Sequence, residues 1–260
     1  PAPRPAPACS AAPRASLPLS HLSRATARAQ FLKTIKCANE DGLLVVKVYI
    51  KHDASIALAP YAEMLSLVRE RLNSAPNVMP FRWFRETSHA AYLVRQYFYS
   101  NLLERMSTPP FLSSVEKRWI AFQLLQATQQ CHAAGVCHGD IKPENVMITS
   151  WNWVYLVDLA NFKPNTLPQD DPSDFNYFFA AEGRRACALA PERFAERAPP
   201  AAKEAPQPSA EGLRPASDVF SCGCVLLELF LDGGPPFELP QLLRYVSRSR
   251  FTYDLGEFYL

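Results

Sequence analysis

Apolar and polar positions first fall into a regular order near Phe31. Phe31-Leu32-Lys33-Thr34-Ile35-Lys36 partly alternates, Asn39-Glu40-Asp41-Gly42 has turn chemistry, and Leu43 to Ile50 is apolar and β-branched. That pattern predicts a hairpin. A helix is predicted over about Ser55 to Asn73, with Leu67 and Leu72 on a rough core stripe, ended by Asn73-Ser74-Ala75-Pro76-Asn77. Ala91 to Val94 reads as a strand running into Arg95-Gln96-Tyr97, and a mostly helical region opens at Asn101 to Met106. Ser113 with Glu116 forms a capping box ahead of Ile120, Leu124, Ala127 and Cys131, which share one helical face that Gly135 closes. Val146 to Ile148 and Trp153 to Val157 flank a polar turn, a second small hairpin in which Trp151 and Trp153 supply packing. From Asp218 the run DVFSCGCVLLELFL is apolar all round, which predicts a buried helix. Gly233-Gly234-Pro235 ends it, and Leu239 to Val246 suits one further helix. Strands come early and helices late, an α+β order.

Composition adds limits. The 260 residues are 48% hydrophobic, enough for a sizeable core, and a net charge of +2 gives no reason to invoke nucleic acid or bulk attraction to membranes. No run of about 18 apolar residues is present, and the first residues lack the apolar centre of a signal peptide. Seven cysteines without framework spacing read as reduced thiols, and the five histidines show no metal-ligand spacing. Residues 1–26 are rich in proline, alanine and arginine and are expected to be a disordered leader. Ala195 to Ala216, rich in alanine, proline and glutamate, reads as a flexible insert.

Chemistry concentrates in HGDIKPEN, residues 138 to 145, which sets Asp140 two residues before Lys142 and five before Asn145. Alone, the octet could be a polar loop turned by Gly139 and Pro143. With Lys47 in an upstream strand, Asp158 after the second hairpin and Ala190-Pro191-Glu192 downstream, the order resembles the protein-kinase signature set. That resemblance implies a bilobal kinase-like fold: a β-rich small lobe and hinge over 27–97, and a mostly helical large lobe over 98–260, cut short at its end. It implies Asp140 as the base, Lys142 on the moving phosphoryl, Asn145 and Asp158 on Mg²⁺, and Lys47 on the phosphates. Glu63 is the candidate partner of Lys47, although Met64 stands one place later. Arg95, Gln96 and Tyr97 then border the nucleotide base. Asp218 matches the aspartate that braces the catalytic loop.

More specific words are EKRWIAFQLLQ at 116–126, the run from His138 to Pro164 with SWNW inside it, then DFNYFF and APERF. They look like the serine/threonine-kinase-like regulatory subunit 4 of class III phosphatidylinositol 3-kinase, over roughly Phe31 to Arg250. Partners implied are the lipid-kinase catalytic subunit and a beclin-type subunit. The implied setting is cytoplasmic, peripheral on late endosome and autophagosome membranes, in autophagy and endosomal sorting. Family members carry an N-terminal myristoylated glycine, which this chain does not show.

Three departures bear on catalysis. No glycine precedes Gly42, so no Gly-rich loop can lay its amides over phosphates; Gly139 replaces the usual arginine; and DLA, with Ala160, replaces DFG. Two readings follow, a slow serine/threonine kinase and a nucleotide-holding scaffold that transfers nothing. Arg95 bears on the choice between ATP and GTP. Facing the pocket, its donors would meet a guanine carbonyl well and an adenine amino group badly, so GTP is expected to be held at least as well as ATP. Turned away, Arg95 would pair with an acid such as Glu63.

Overall fold

The computed structural model describes residues 32–40, 42–51, 58–160, 162–180, 184–195, 212–231 and 234–246. The leader at 1–26, most of the predicted insert and the predicted helix start at Ser55 lie outside them. The first hairpin forms as its pattern predicts. Strand β1 (Lys33–Asn39) pairs antiparallel with β2 (Gly42–Ile50), and Asn39 lies opposite Gly42. Gly42 takes φ 124°, a value open to glycine and strained for other residues. Helix α1 (Ala59–Arg71) follows, then β3 (Val78–Met79), β4 (Trp83–Glu86) and β5 (Ala90–Gln96). The small sheet runs β1-β2-β5-β4.

Helix α1 faces the core through Tyr61, Leu65 and Val68, with Leu72 just beyond its end. Leu67 of the predicted stripe is exposed instead, because 67 lies between the inward positions 65 and 68 on a 3.6-residue turn. Val68, Leu72 and Val78 share a core with the helical lobe, and β3 pairs in parallel with a large-lobe strand. The two lobes are therefore joined through buried apolar surface well before residue 97.

The helical lobe opens with β6 (Ser100–Asn101) and α2 (Leu102–Ser107), capped by Asn101 and Glu104. Helix α3 (Ser114–Ala133) starts at the Ser113–Glu116 capping box and buries Ile120, Leu124, Ala127 and Cys131 completely. Gly135, at φ 68°, ends it. Strands β7 (Val146–Ile148) and β8 (Val154–Val157) form the second hairpin within a β3-β8-β7-β6 sheet. Trp153 packs edge-on against Trp119 and donates to the Pro76 carbonyl, whereas Trp151 stands in solvent.

Beyond the hairpin come β9 (Leu167–Pro168), α4 (Pro172–Phe178), β10 (Phe194–Ala195) and α5 (Pro215–Phe230). The aromatic word DFNYFF becomes α4 and its cap, with Phe175 and Phe179 buried against Leu189, Phe194, Leu239 and Leu242. A helical segment over 239–246 completes this cluster. Helix α5 begins at Pro215, inside the stretch assigned to the insert, because proline at its first turn suits a helix start. It is not buried all round: Val219, Leu227 and Phe230 are exposed. No helix among the described residues is long and apolar enough to cross a membrane.

Candidate functional site

The HGDIKPEN loop hangs between α3 and β7, and its shape is held from below. Asp218, buried at the start of α5, accepts from the backbone N–H groups of His138 (2.7 Å) and Gly139 (2.8 Å), and meets His132 Nε2 at 3.0 Å. Cys137 also lies near His132 and Asp218, within metal-ligand reach. The Asp218 oxygens are already engaged by those N–H groups. His138 spans the loop, with Nε2 on the Val157 carbonyl at 2.9 Å and Nδ1 taking the Asp140 N–H at 3.2 Å. Burial holds its pKa below the ordinary value despite three nearby carboxylates, so the ring is neutral, as an accepting Nδ1 requires.

Asp140, Lys142, Asn145 and Asp158 converge on one cleft of about 410 Å³, together with Lys47, Arg95 and Tyr97. That is within the size range of small-molecule sites. Val45 and Met147 supply apolar lining, and the ring of Tyr97 lies under Lys36 Nζ, 4.0 Å from its centroid. Gln96 does not line the cleft; its side chain is exposed and its carbonyl accepts from Arg95 Nη1 at 3.1 Å.

Strand register explains the upper wall. On β2 and β5, Lys47 lies opposite Leu93 and Val45 opposite Arg95, so Lys47 and Arg95 sit one step apart on the same face. Both reach Asp158. Lys47 Nζ is 2.7 Å from Oδ2, while Arg95 binds as a fork, Nε to Oδ1 at 2.8 Å and Nη2 to Oδ2 at 3.0 Å. Burial would raise the Asp158 pKa, but Lys47 and Arg95 together hold it far below the usual carboxylate range. Its backbone is left-handed at φ 63°, uncommon for a residue other than glycine, and the Ala160 N–H is fixed to the His138 carbonyl at 2.9 Å.

Glu63 has no part in this arrangement. It is exposed on α1, and Lys47 pairs with Asp158 in its place. Phe162 fills the space between α1 and the small sheet, stacked with Tyr61 and Tyr49 and in contact with Phe84. Arg95 does turn to an acid, as one of its two readings held, but the acid is Asp158. Its guanidinium is therefore directed inward rather than at a base edge.

The lower wall is also internally engaged. Lys163 Nζ is 2.6 Å from Asp140 Oδ2, Asn145 Nδ2 donates to the same oxygen at 3.0 Å, and Lys142 Nζ donates to the Phe179 carbonyl at 2.9 Å. Burial brings the Lys163 pKa down to about 8, although Asp140 opposes the shift. Lys142 and Lys163 hold the Asp140 carboxyl below its ordinary value against its burial. The sequence reading missed Lys163 and Arg193. The first lies five residues past Asp158, in the word NFKP. The second follows Ala-Pro-Glu and donates to the carbonyls of Gly139, Pro164 and Asn165.

Protein kinase domains in general use a nucleotide and Mg²⁺. Carboxylate and amide oxygens are the right ligand types for that ion. Here, however, both Asp158 oxygens are paired with cations, whereas Asn145 engages Asp140 through Nδ2 alone and keeps its Oδ1 open. As arranged, Asp158 offers a divalent ion no unpaired oxygen, and Asn145 Oδ1 by itself does not hold one.

A β-rich lobe, a helical lobe and a cleft built from HGD, Asn145 and Asp158 define a protein kinase domain. The chain belongs to that family, whose model matches residues 31–249. Within it, the chain is similar to the VPS15 proteins. It is 54% identical to "Serine/threonine-protein kinase VPS15" of Arabidopsis thaliana over 228 residues, 86% of this chain and 15% of that protein. It is 50% identical to "Probable serine/threonine-protein kinase vps15" of Dictyostelium discoideum, over 84% of this chain and 11% of that protein. Against the Schizosaccharomyces pombe "Serine/threonine-protein kinase vps15" it is 44% identical, over 92% of this chain and 14% of that protein. The chain thus spans a small fraction of these relatives' length.

Proposed function

We propose that this domain holds a nucleotide as the kinase-like part of a class III phosphatidylinositol 3-kinase regulatory subunit, and that phosphoryl transfer is at most slow. The carrying observation is that Oδ2 of Asp140, the loop's candidate base, is held by Lys163 at 2.6 Å and Asn145 at 3.0 Å. Against its burial, Lys142 and Lys163 keep the carboxyl below its ordinary value and make it a weaker acceptor for a hydroxyl proton. Lys142, which would steady the γ-phosphoryl, is on the Phe179 carbonyl. Asp140, Lys142, Lys47, Asn145 and Asp158 keep the kinase places, so the cleft suits a nucleotide better than it suits turnover. Association with the lipid-kinase catalytic subunit and a beclin-type subunit, on late endosome and autophagosome membranes, follows from the likeness to the regulatory subunit family.

The test uses the full-length subunit assembled with its partners. Asp140→Asn keeps the shape of the side chain while removing the base. Lipid phosphorylation is expected to be unchanged, and transfer to protein serine or threonine to stay near background in both forms. Robust transfer by the unmodified protein, lost in Asp140→Asn together with lipid-kinase output, would refute the reading.

A further inference from the structure

We propose that this cleft takes nucleotide phosphates directly on Lys47 and Arg95, without a divalent cation. The inference rests on the nucleotide-holding reading above and specifies how the phosphates are met. In a metal-dependent site the aspartate after the second hairpin presents its oxygens to the ion. Here Arg95 covers both oxygens of Asp158, with Lys47 as a second cation on Oδ2. A dication brought to Asp158 would sit against two charges it could not displace cheaply, because neighbouring strands fix their stems on one sheet face.

The same charges supply what the ion would have supplied. Lys47, Arg95, Lys142 and Lys163 line the cleft with the carboxylates Asp140, Asp158, Glu104 and Glu144, of which Glu144 is paired with Arg184 and Glu104 caps a helix start. Arg95 stays charged at any working pH, and beyond its fork on Asp158 and its bond to the Gln96 carbonyl it keeps further N–H groups for phosphate oxygens. Arg95 is also buried, which strengthens its attraction for an anion. Asp158 then serves as the internal counter-ion that keeps two cations in place while phosphate meets the N–H groups they leave open, and not as a ligand.

Fluorescent ATP and GTP analogues, titrated into the full-length chain in excess Mg²⁺ and in EDTA, test this. The wild-type dissociation constant should agree between the two buffers within about threefold. Arg95→Met, which uncovers Asp158, should bind at least about tenfold more weakly in EDTA than in Mg²⁺. Asp158→Asn removes a competing charge and should bind in EDTA at least as well as the wild type. A metal ligand's loss would abolish binding. Wild-type binding that falls tenfold or more in EDTA, or loss of binding in Asp158→Asn, overturns the inference and leaves the nucleotide-holding reading standing. Absence of binding in both buffers overturns both. Should Arg95→Met melt far below the wild type, the wild-type pair and Asp158→Asn still decide.

Discussion

Phe162 lies flat on Tyr61, with ring centroids 4.2 Å apart and planes 12° from parallel. Tyr61 belongs to α1 and Phe162 follows Asp158 by four residues, so this one stack ties the segment after the second hairpin to the small lobe's helix. In the same cluster Tyr49 comes from β2, the strand that carries Lys47. The aromatic plug thus sits on the side of the sheet where Glu63 was expected to approach Lys47, and it fills that route.

Phe162→Ala should be among the most damaging single changes in the chain. The side chain is almost fully buried, and its loss leaves a cavity between lobes at a cost of about 3–5 kcal/mol. Denaturant unfolding of the full-length chain measures it. Faster amide exchange in α1 should accompany the loss, because the helix loses its contact with the large lobe's segment.

Glu63→Ala should do almost nothing. An exposed helix residue without a charge partner contributes within about 0.5 kcal/mol, and nucleotide affinity should stay within about twofold. A marked fall in affinity would show that Glu63 reaches Lys47 in the ligand-bound state.

How far the chain could be read from its letters follows from the distances involved. The first hairpin, the capping box of α3, the face formed by Ile120, Leu124, Ala127 and Cys131, and the HGDIKPEN loop are local patterns, and all formed. The brace at Asp218 was legible through its likeness to kinases. What escaped was pairing at long range. Arg95 and Asp158 lie 63 residues apart, and nothing in either neighbourhood specifies the other. Lys163 looked like a loop residue because burial, not spacing, makes it matter. Leu67 and Trp151 failed for the opposite reason: apolar character was taken as burial where helical phase or a turn tip left the side chain in solvent.

Anion affinity should fall with rising pH near 8. Burial lowers the Lys163 pKa to about 8, so the side chain is charged below that value and neutral above it. Cleft positive charge is therefore present at pH 7 and diminished by pH 9. An ATP analogue should bind up to about tenfold more weakly at the higher pH, even though its terminal phosphate completes its own ionisation over the lower part of that range. Lys163→Gln should bind more weakly at pH 7 and show a flat profile. A step that survives in Lys163→Gln would assign the titration to another group.

Restoring the arginine that kinases usually carry before the catalytic aspartate should destabilise this fold. Gly139 has φ 74°, and a Cβ there would lie 2.8 Å from Leu213 Cδ1 and 3.2 Å from the Ala160 methyl. Gly139→Arg should cost about 1–3 kcal/mol from backbone strain and crowding, read by denaturant unfolding. No cation at 139 is available to a phosphorylated segment, Arg193 is occupied by backbone carbonyls, and Arg184 is held between Glu144 and Glu228. Phosphatase treatment should accordingly leave nucleotide affinity within about twofold.

The brace at Asp218 has a consequence for how binding will look in a calorimeter. Because a buried carboxylate fastens the backbone of His138 and Gly139, the loop that carries Asp140 is shaped before any ligand arrives. Association then pays little to order the receptor, and most of the entropy lost belongs to the incoming molecule. The large-lobe wall of the cleft is therefore set beforehand, and ligands will be selected on that side by fit and charge.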